Sequence, residues 1–96
     1  MIRNLSRVDY SRTFIKQLKK APLKIREAFR KRRELFFENP FSSQLNNHQL
    51  IGEHKGHRSI NITGDWRAIF IETLDEAGNK TTLFKFIGTH NQLYQR

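Results

Sequence analysis

The chain contains no cysteine, which excludes a disulfide framework and a thiolate-bound zinc and leaves the protein compatible with a reducing compartment. It has no long apolar run, and the opening stretch Met1 to Arg7 lacks the hydrophobic segment of a secretory signal. The expectation is a cytoplasmic protein that its own sequence neither exports nor anchors. Acids are scarce, 9 against 18 Lys and Arg, and most of those outside the basic N-terminal half fall in turns, which argues against the paired carboxylates of a glycosidase. Missing too are a glycine-rich phosphate loop, a Ser-His-Asp arrangement and internal repeats. Only two prolines occur, and both sit where they punctuate the chain.

The 96 residues suffice for one domain (residues 1–96) with a single modest core. Met1 to Glu38 carries 12 Lys and Arg against 4 acids, whereas Asn39 to Arg96 carries 6 against 5. Solvation of helix exteriors accounts for high charge but not for so lopsided a sign. The basic half points to a polyanion, an acidic protein partner, or both.

Ile2 to Val8 reads as a short strand of weak alternation. Asp9 is the expected N-cap of a helix with Tyr10, Phe14 and Leu18 on one stripe. Ala21-Pro22 interrupts it and opens a second helix, whose inner side is marked by Ile25, Phe29 and Phe36 and whose exterior carries Arg26, Arg30, Lys31 and Arg33. The two form an αα-hairpin that ends at Asn39-Pro40. Phe41 to Lys55 has no clear period and reads as loop.

Gly56 to Phe70 reads as a β-hairpin. Ser59, Asn61 and Thr63 alternate with Ile60 and Ile62, Thr63-Gly64-Asp65 is the turn with Gly64 expected at positive φ, and Trp66 to Ile71 has the apolar run of a covered central strand. Arg67 breaks that run, either as a surface partner of Asp65 or as a functional cation. After the turn Asp75 to Asn79, Lys80 to Thr89 forms a third strand, and Asn91 to Arg96 a short tail. Helices followed by antiparallel strands define an α+β fold, with the helices on one sheet face.

His54 and His57 are three apart, but Gly52 and Gly56 speak against one helix face, so a zinc site there is disfavoured and no metal or other cofactor is expected. What remains suits RNA cleavage by its own 2′-hydroxyl. A base must take the hydroxyl proton, an acid must protonate the leaving 5′ oxygen, and a cation must stabilise the phosphorane. His48, Asp65, Arg67 and His90 fill those roles if the fold gathers them.

His48-Gln49-Leu50-Ile51-Gly52-Glu53-His54-Lys55-Gly56-His57-Arg58, then Asp65-Trp66, then Gly88-Thr89-His90-Asn91-Gln92-Leu93-Tyr94, together resemble the RelE superfamily of bacterial toxins, and most closely its YafQ branch. The resemblance implies a small microbial-RNase-like fold, an N-terminal αα-hairpin packed on an antiparallel sheet. It also implies an endoribonuclease that cuts mRNA on the ribosome, against 16S rRNA, and a cognate antitoxin that neutralises it. By position, His48, Asp65 and His90 match catalytic residues of the branch, and Tyr94 replaces an active-site Phe. Arg67 matches a phosphate-binding arginine of other RelE-like toxins, and Lys55 and Arg58 match a Lys-Gly-x-Arg segment expected to bind RNA. Arg30 and Lys31, on the basic helix, are expected to meet ribosomal RNA. Gln49 stands where the branch has proline, and Asn61 stands where it has a strand histidine. Asn can hydrogen-bond phosphate but cannot titrate near neutral pH, so this departure implies a reduced rate, with Arg67 or His57 available to compensate. A non-catalytic RNA-binding or protein-interaction module on the same fold is the alternative.

Overall fold

Residues 7–94 are described by a computed structural model. In chain order the elements are β1 (Arg7–Tyr10), α1 (Arg12–Lys20), α2 (Leu23–Glu38), β2 (His48–Gln49), a 3-10 turn (Gly52–His54), β3 (Arg58–Asn61), β4 (Trp66–Leu74), β5 (Lys80–Thr89) and α3 (His90–Tyr94). The strands form one sheet in the order β1-β5-β4-β3-β2. Three neighbouring pairs are antiparallel, but β1 runs parallel to β5, with Arg7 opposite Thr81. The sheet is therefore mixed, and the expectation of purely antiparallel pairing fails at this edge: the helical hairpin carries the chain from β1 to β2 at the opposite edge, and the strands then return one by one until β5 lies beside β1. Of the strand expected over Ile2 to Val8, residues 2–6 lie outside the described part. No helix among the described residues is long and apolar enough to cross a membrane.

Ser11, and not Asp9, caps α1. Its hydroxyl oxygen accepts from the Phe14 amide (2.9 Å) and its proton goes to the Lys85 carbonyl (2.7 Å), while Asp9 lies in β1 and pairs with Arg7 at 3.2 Å on the surface. A second α1 side chain continues the same work: Gln17 Oε1 accepts from the Ile87 amide at 2.9 Å. β1 ends at Tyr10, so β5 has no strand neighbour on that side beyond Phe84. Ser11 and Gln17 satisfy the backbone groups that a longer β1 would have taken.

Both helices bury their apolar stripes on one sheet face. Phe14, Ile25, Phe29 and Phe36 meet Ile60, Ala68, Phe70, Phe84 and Ile87 in the core. Phe84 is its centre, with the rings of Tyr10, Phe14, Phe29, Phe36 and Phe70 all 5.5–5.9 Å away, centroid to centroid. Alternation along β3 and β4 sends Ser59, Asn61, Arg67 and Ile69 to the opposite face. There α3 packs, with the Tyr94 hydroxyl 3.4 Å from the buried Ser59 hydroxyl. A register shift opposite Ile69 and Phe70 leaves Lys85 as an extra residue in β5, which lets Phe84 and Ile87, three apart, both face the helical core.

The β3–β4 turn does not use the glycine as expected, since Gly64 has no positive φ. The Thr63 hydroxyl closes it by accepting from the Trp66 amide (3.2 Å). In the β4–β5 turn, Asp75 accepts from the amides of Ala77 and Asn79. Those bonds, that of the Asn79 amide foremost, hold its carboxyl below the usual carboxylate range. This turn is firmest with Asp75 ionised, and acid that protonates the carboxyl loosens it.

Candidate active site

His48 belongs to β2, a strand too short to specify itself. Its extended backbone comes from pairing with β3, His48 opposite Ser59. Just before it, Asn46 takes a left-handed backbone (φ 47°), which Asn tolerates better than most residues. The Asn46 carbonyl then lies 2.7 Å from His48 Nδ1. A carbonyl only accepts, so Nδ1 carries the proton in that bond, and in the neutral ring the basic lone pair is left on Nε2.

Arg67 faces the same side from β4, directly across from Asn61 on β3 and Gly88 on β5. One guanidinium nitrogen, Nη1, donates to the carbonyls of Thr63 (3.2 Å) and Gly64 (3.0 Å). No carboxylate among the described residues pairs with it, the ion pairs there being Arg7–Asp9 and Glu72–Lys80. The surface pairing with Asp65 is absent. Arg67 is thus aimed by main-chain carbonyls while its charge stays unneutralised.

His90 and Tyr94 come from α3, a turn of helix where a tail was expected. The five residues from His90 to Tyr94 are too few for a stable helix alone, and tertiary bonds hold them. The His90 amide donates to the Asp65 carbonyl (2.9 Å), Gln92 Oε1 accepts from the Thr89 amide (2.8 Å), and His54 Nε2 donates to the Leu93 carbonyl (3.1 Å). A Cβ at Gly88 would meet Gln92 Oε1 at 2.9 Å and push that oxygen off the Thr89 amide. On α3 the rings of His90 and Tyr94 stand 4.7 Å apart at 52°.

These side chains surround an open cavity of ≈ 370 Å³ in which His48, Arg67, His90 and Tyr94 meet, with Leu50 and Ile51 as its apolar wall. Asp65 is exposed and is not part of the lining. Its carboxylate makes no hydrogen bond to His48, and its link to the cavity is the carbonyl that accepts from the His90 amide. Asn61 borders Arg67, and its Oδ1 is buried without a hydrogen-bond partner. Lys55 and Arg58 line a neighbouring cavity. Arg30 and Lys31 are exposed on α2, across the sheet from the site.

His54 was not assigned a role from sequence. It anchors α3 and packs its ring 5.8 Å from Tyr94 and 5.9 Å from Phe86. Only its place in the motif pointed to it, since a histidine that holds a remote carbonyl has no local pattern. His57 lies apart from the His48–His90 cavity, beside Lys55 and Arg58.

A set of imidazoles, a phenol and an unpaired guanidinium, with no lining carboxylate, suits an anion and can exchange protons with it. The model of the family YafQ, a bacterial toxin of type II toxin-antitoxin systems, matches residues 6–95. The crystal structure of YafQ from E. coli strain BL21(DE3) superposes with a TM-score of 0.76 at 24% identity, covering 94% of this chain and 99% of that one. The toxin of the E. coli DinJ-YafQ toxin-antitoxin complex gives 0.73 at 25%, covering 93% and 97%. A YoeB/ParE toxin from Agrobacterium tumefaciens, at 13% identity, shares the fold with a TM-score of 0.70 over 88% of this chain and 98% of its own. The curated proteins gave no match.

Proposed function

This chain belongs to the YafQ family of type II toxin-antitoxin toxins, within the RelE superfamily, and from that membership we propose that it is a metal-independent endoribonuclease cutting mRNA on the ribosome. The observation that carries the reading is the meeting of His48, Arg67, His90 and Tyr94 in one cavity without a carboxylate. His48, its Nδ1 engaged by Asn46, takes the 2′-hydroxyl proton on Nε2. The freed oxygen attacks the adjacent phosphorus, Arg67 stabilises the added negative charge on the phosphorane, and His90 gives a proton to the departing 5′ oxygen. Tyr94 stacks on a base or contacts the scissile phosphate. Asp65 supports His90 through its carbonyl, and Lys55, Arg58 and Asn61 contact the RNA. The exposed cations Arg30 and Lys31 meet 16S rRNA, a contact whose strength falls with salt. Such a substrate places the protein in the cytoplasm. The complex of the relative YafQ with DinJ supports a cognate antitoxin as its protein partner.

Expression without an antitoxin is expected to arrest growth with cleavage of mRNA. The fragments should end in a 2′,3′-cyclic phosphate and begin with a 5′-hydroxyl, and EDTA should not slow their formation. End-group analysis of transcripts cut on purified programmed ribosomes checks this. A 5′-phosphate, or a rate lost to chelator and restored by Mg²⁺, contradicts the mechanism. Normal growth with intact transcripts at high expression points instead to an RNA-binding module on this fold.

Asn61→His is expected to keep or raise the cleavage rate. The change sets an imidazole beside Arg67, where the family has one, and removes a buried acceptor that lacks a partner. An unsatisfied acceptor costs about 1–3 kcal/mol, which offsets the larger ring, so the melting temperature should move little. A folded variant that cuts markedly more slowly than the parent rules out this use of the position.

A further inference from the structure

A larger cavity, ≈ 660 Å³, lies around the sheet edge from the one that holds His48 and His90. Gln49 lines it, whereas His48 lines the first. Successive strand residues point to opposite faces, so the two cavities flank the edge strand β2. Leu50 and Ile51 belong to the walls of both. Ile51 is 90% exposed and forms the crest between them.

The second cavity is basic on one side and acidic on the other. Lys55 and Arg58 supply the cations, and Arg58 is already fixed in place. Its Nε donates to Asn47 Oδ1 at 2.8 Å, and its guanidinium carbon lies 5.4 Å from the centroid of the Phe41 ring. Glu72 is the one carboxylate in the lining, its Oε2 3.7 Å from Lys80 Nζ.

We infer that this cavity is a second nucleotide subsite. It rests on the ribonuclease reading above and specifies where a base beside the cut is read. The RNA strand whose scissile phosphate sits between His48 and His90 crosses the sheet edge at Ile51. The neighbouring base packs on Leu50 and Ile51, its phosphate meets Lys55 and Arg58, and its edge faces Glu72. A carboxylate only accepts hydrogen bonds, so Glu72 favours adenine, guanine and cytosine, which carry exocyclic amines, over uracil, which has none.

The test is equilibrium binding of fluorescent, fully 2′-O-methylated hexamers of A, C or U to the whole chain, read by anisotropy at one salt concentration. Methylation blocks the attacking hydroxyl, so binding is measured apart from cleavage. The parent should bind the A and C hexamers more tightly than the U hexamer, and Glu72→Ala should erase that preference. Ile51→Ser, which changes no charge, should weaken binding about tenfold, the scale of losing one packed base. Both positions are exposed, and melting curves verify that the variants fold. Ile51→Ser binding as the parent does, or Glu72→Ala tightening all three hexamers alike as mere loss of a negative charge would, overturns the subsite. A parent that shows the base preference yet leaves mRNA on programmed ribosomes intact overturns the ribonuclease reading and leaves the subsite standing.

Discussion

His90→Ala is expected to lower single-turnover cleavage on programmed ribosomes by about 10²–10⁴-fold, the contribution of a positioned acid or base. The fold should not change. His90 is exposed, its amide bond to the Asp65 carbonyl survives the substitution, and alanine is the best helix former for the start of α3. The ring that disappears lies 4.7 Å from Tyr94 and takes part in no core contact. Rates for parent and variant, set beside their melting curves, make the check. A folded His90→Ala protein that cuts at the parent rate removes His90 from the chemistry. Neither histidine that the sequence offers in its place is free to take over, since His57 lies outside this cavity and His54 commits Nε2 to the Leu93 carbonyl.

Phe84→Ala should be the costliest single change in the core. The side chain is fully buried and touches five aromatic rings from β1, α1, α2 and β4. Truncating a buried phenylalanine costs about 3–5 kcal/mol through lost burial and the cavity left behind, a large share of the roughly 5–15 kcal/mol that holds a domain folded. The neighbouring rings come from four elements and cannot all move inward, so the void stays open. Urea denaturation of parent and variant measures the loss. A change below about 1 kcal/mol, the usual size for an average substitution, would mean that the ring cluster closes over the gap.

Much of the architecture was legible because local chemistry wrote it. Ala21-Pro22 separates α1 from α2, Asn39-Pro40 ends α2, and Lys80 to Thr89 is β5 over its whole length. The parts that escaped are those whose conformation is imposed from a distance. β2 is extended because β3 pairs with it, and α3 is helical because Asp65 and His54 hold its two ends. Asp9 and Ser11 are both good caps, and only the position of the Lys85 carbonyl decides between them. The same division runs through the site. Residue types and motif order pointed to His48, Arg67, His90 and Tyr94, which share a cavity. Asp65 was matched to a catalytic residue by analogy, but its carboxylate stays outside the cavity, and what ties it to His90 is its carbonyl, a group every residue has and no sequence pattern can mark.

The parallel seam between β1 and β5 also constrains how the molecule comes together. It joins Arg7 to Thr81 and Ser11 to Phe84 and Lys85, so it closes the longest loop in the described chain. Such closure loses chain entropy before any contact compensates for it. The β4–β5 hairpin needs only a short turn and can form early. The helical pair can pack on it once Phe84 is in place, and β1 is expected to join last. A late-forming seam contributes little to the folding barrier and much to the unfolding barrier. Weakening it at Tyr10 or Ser11 therefore shortens the lifetime of the folded molecule far more than it delays its formation.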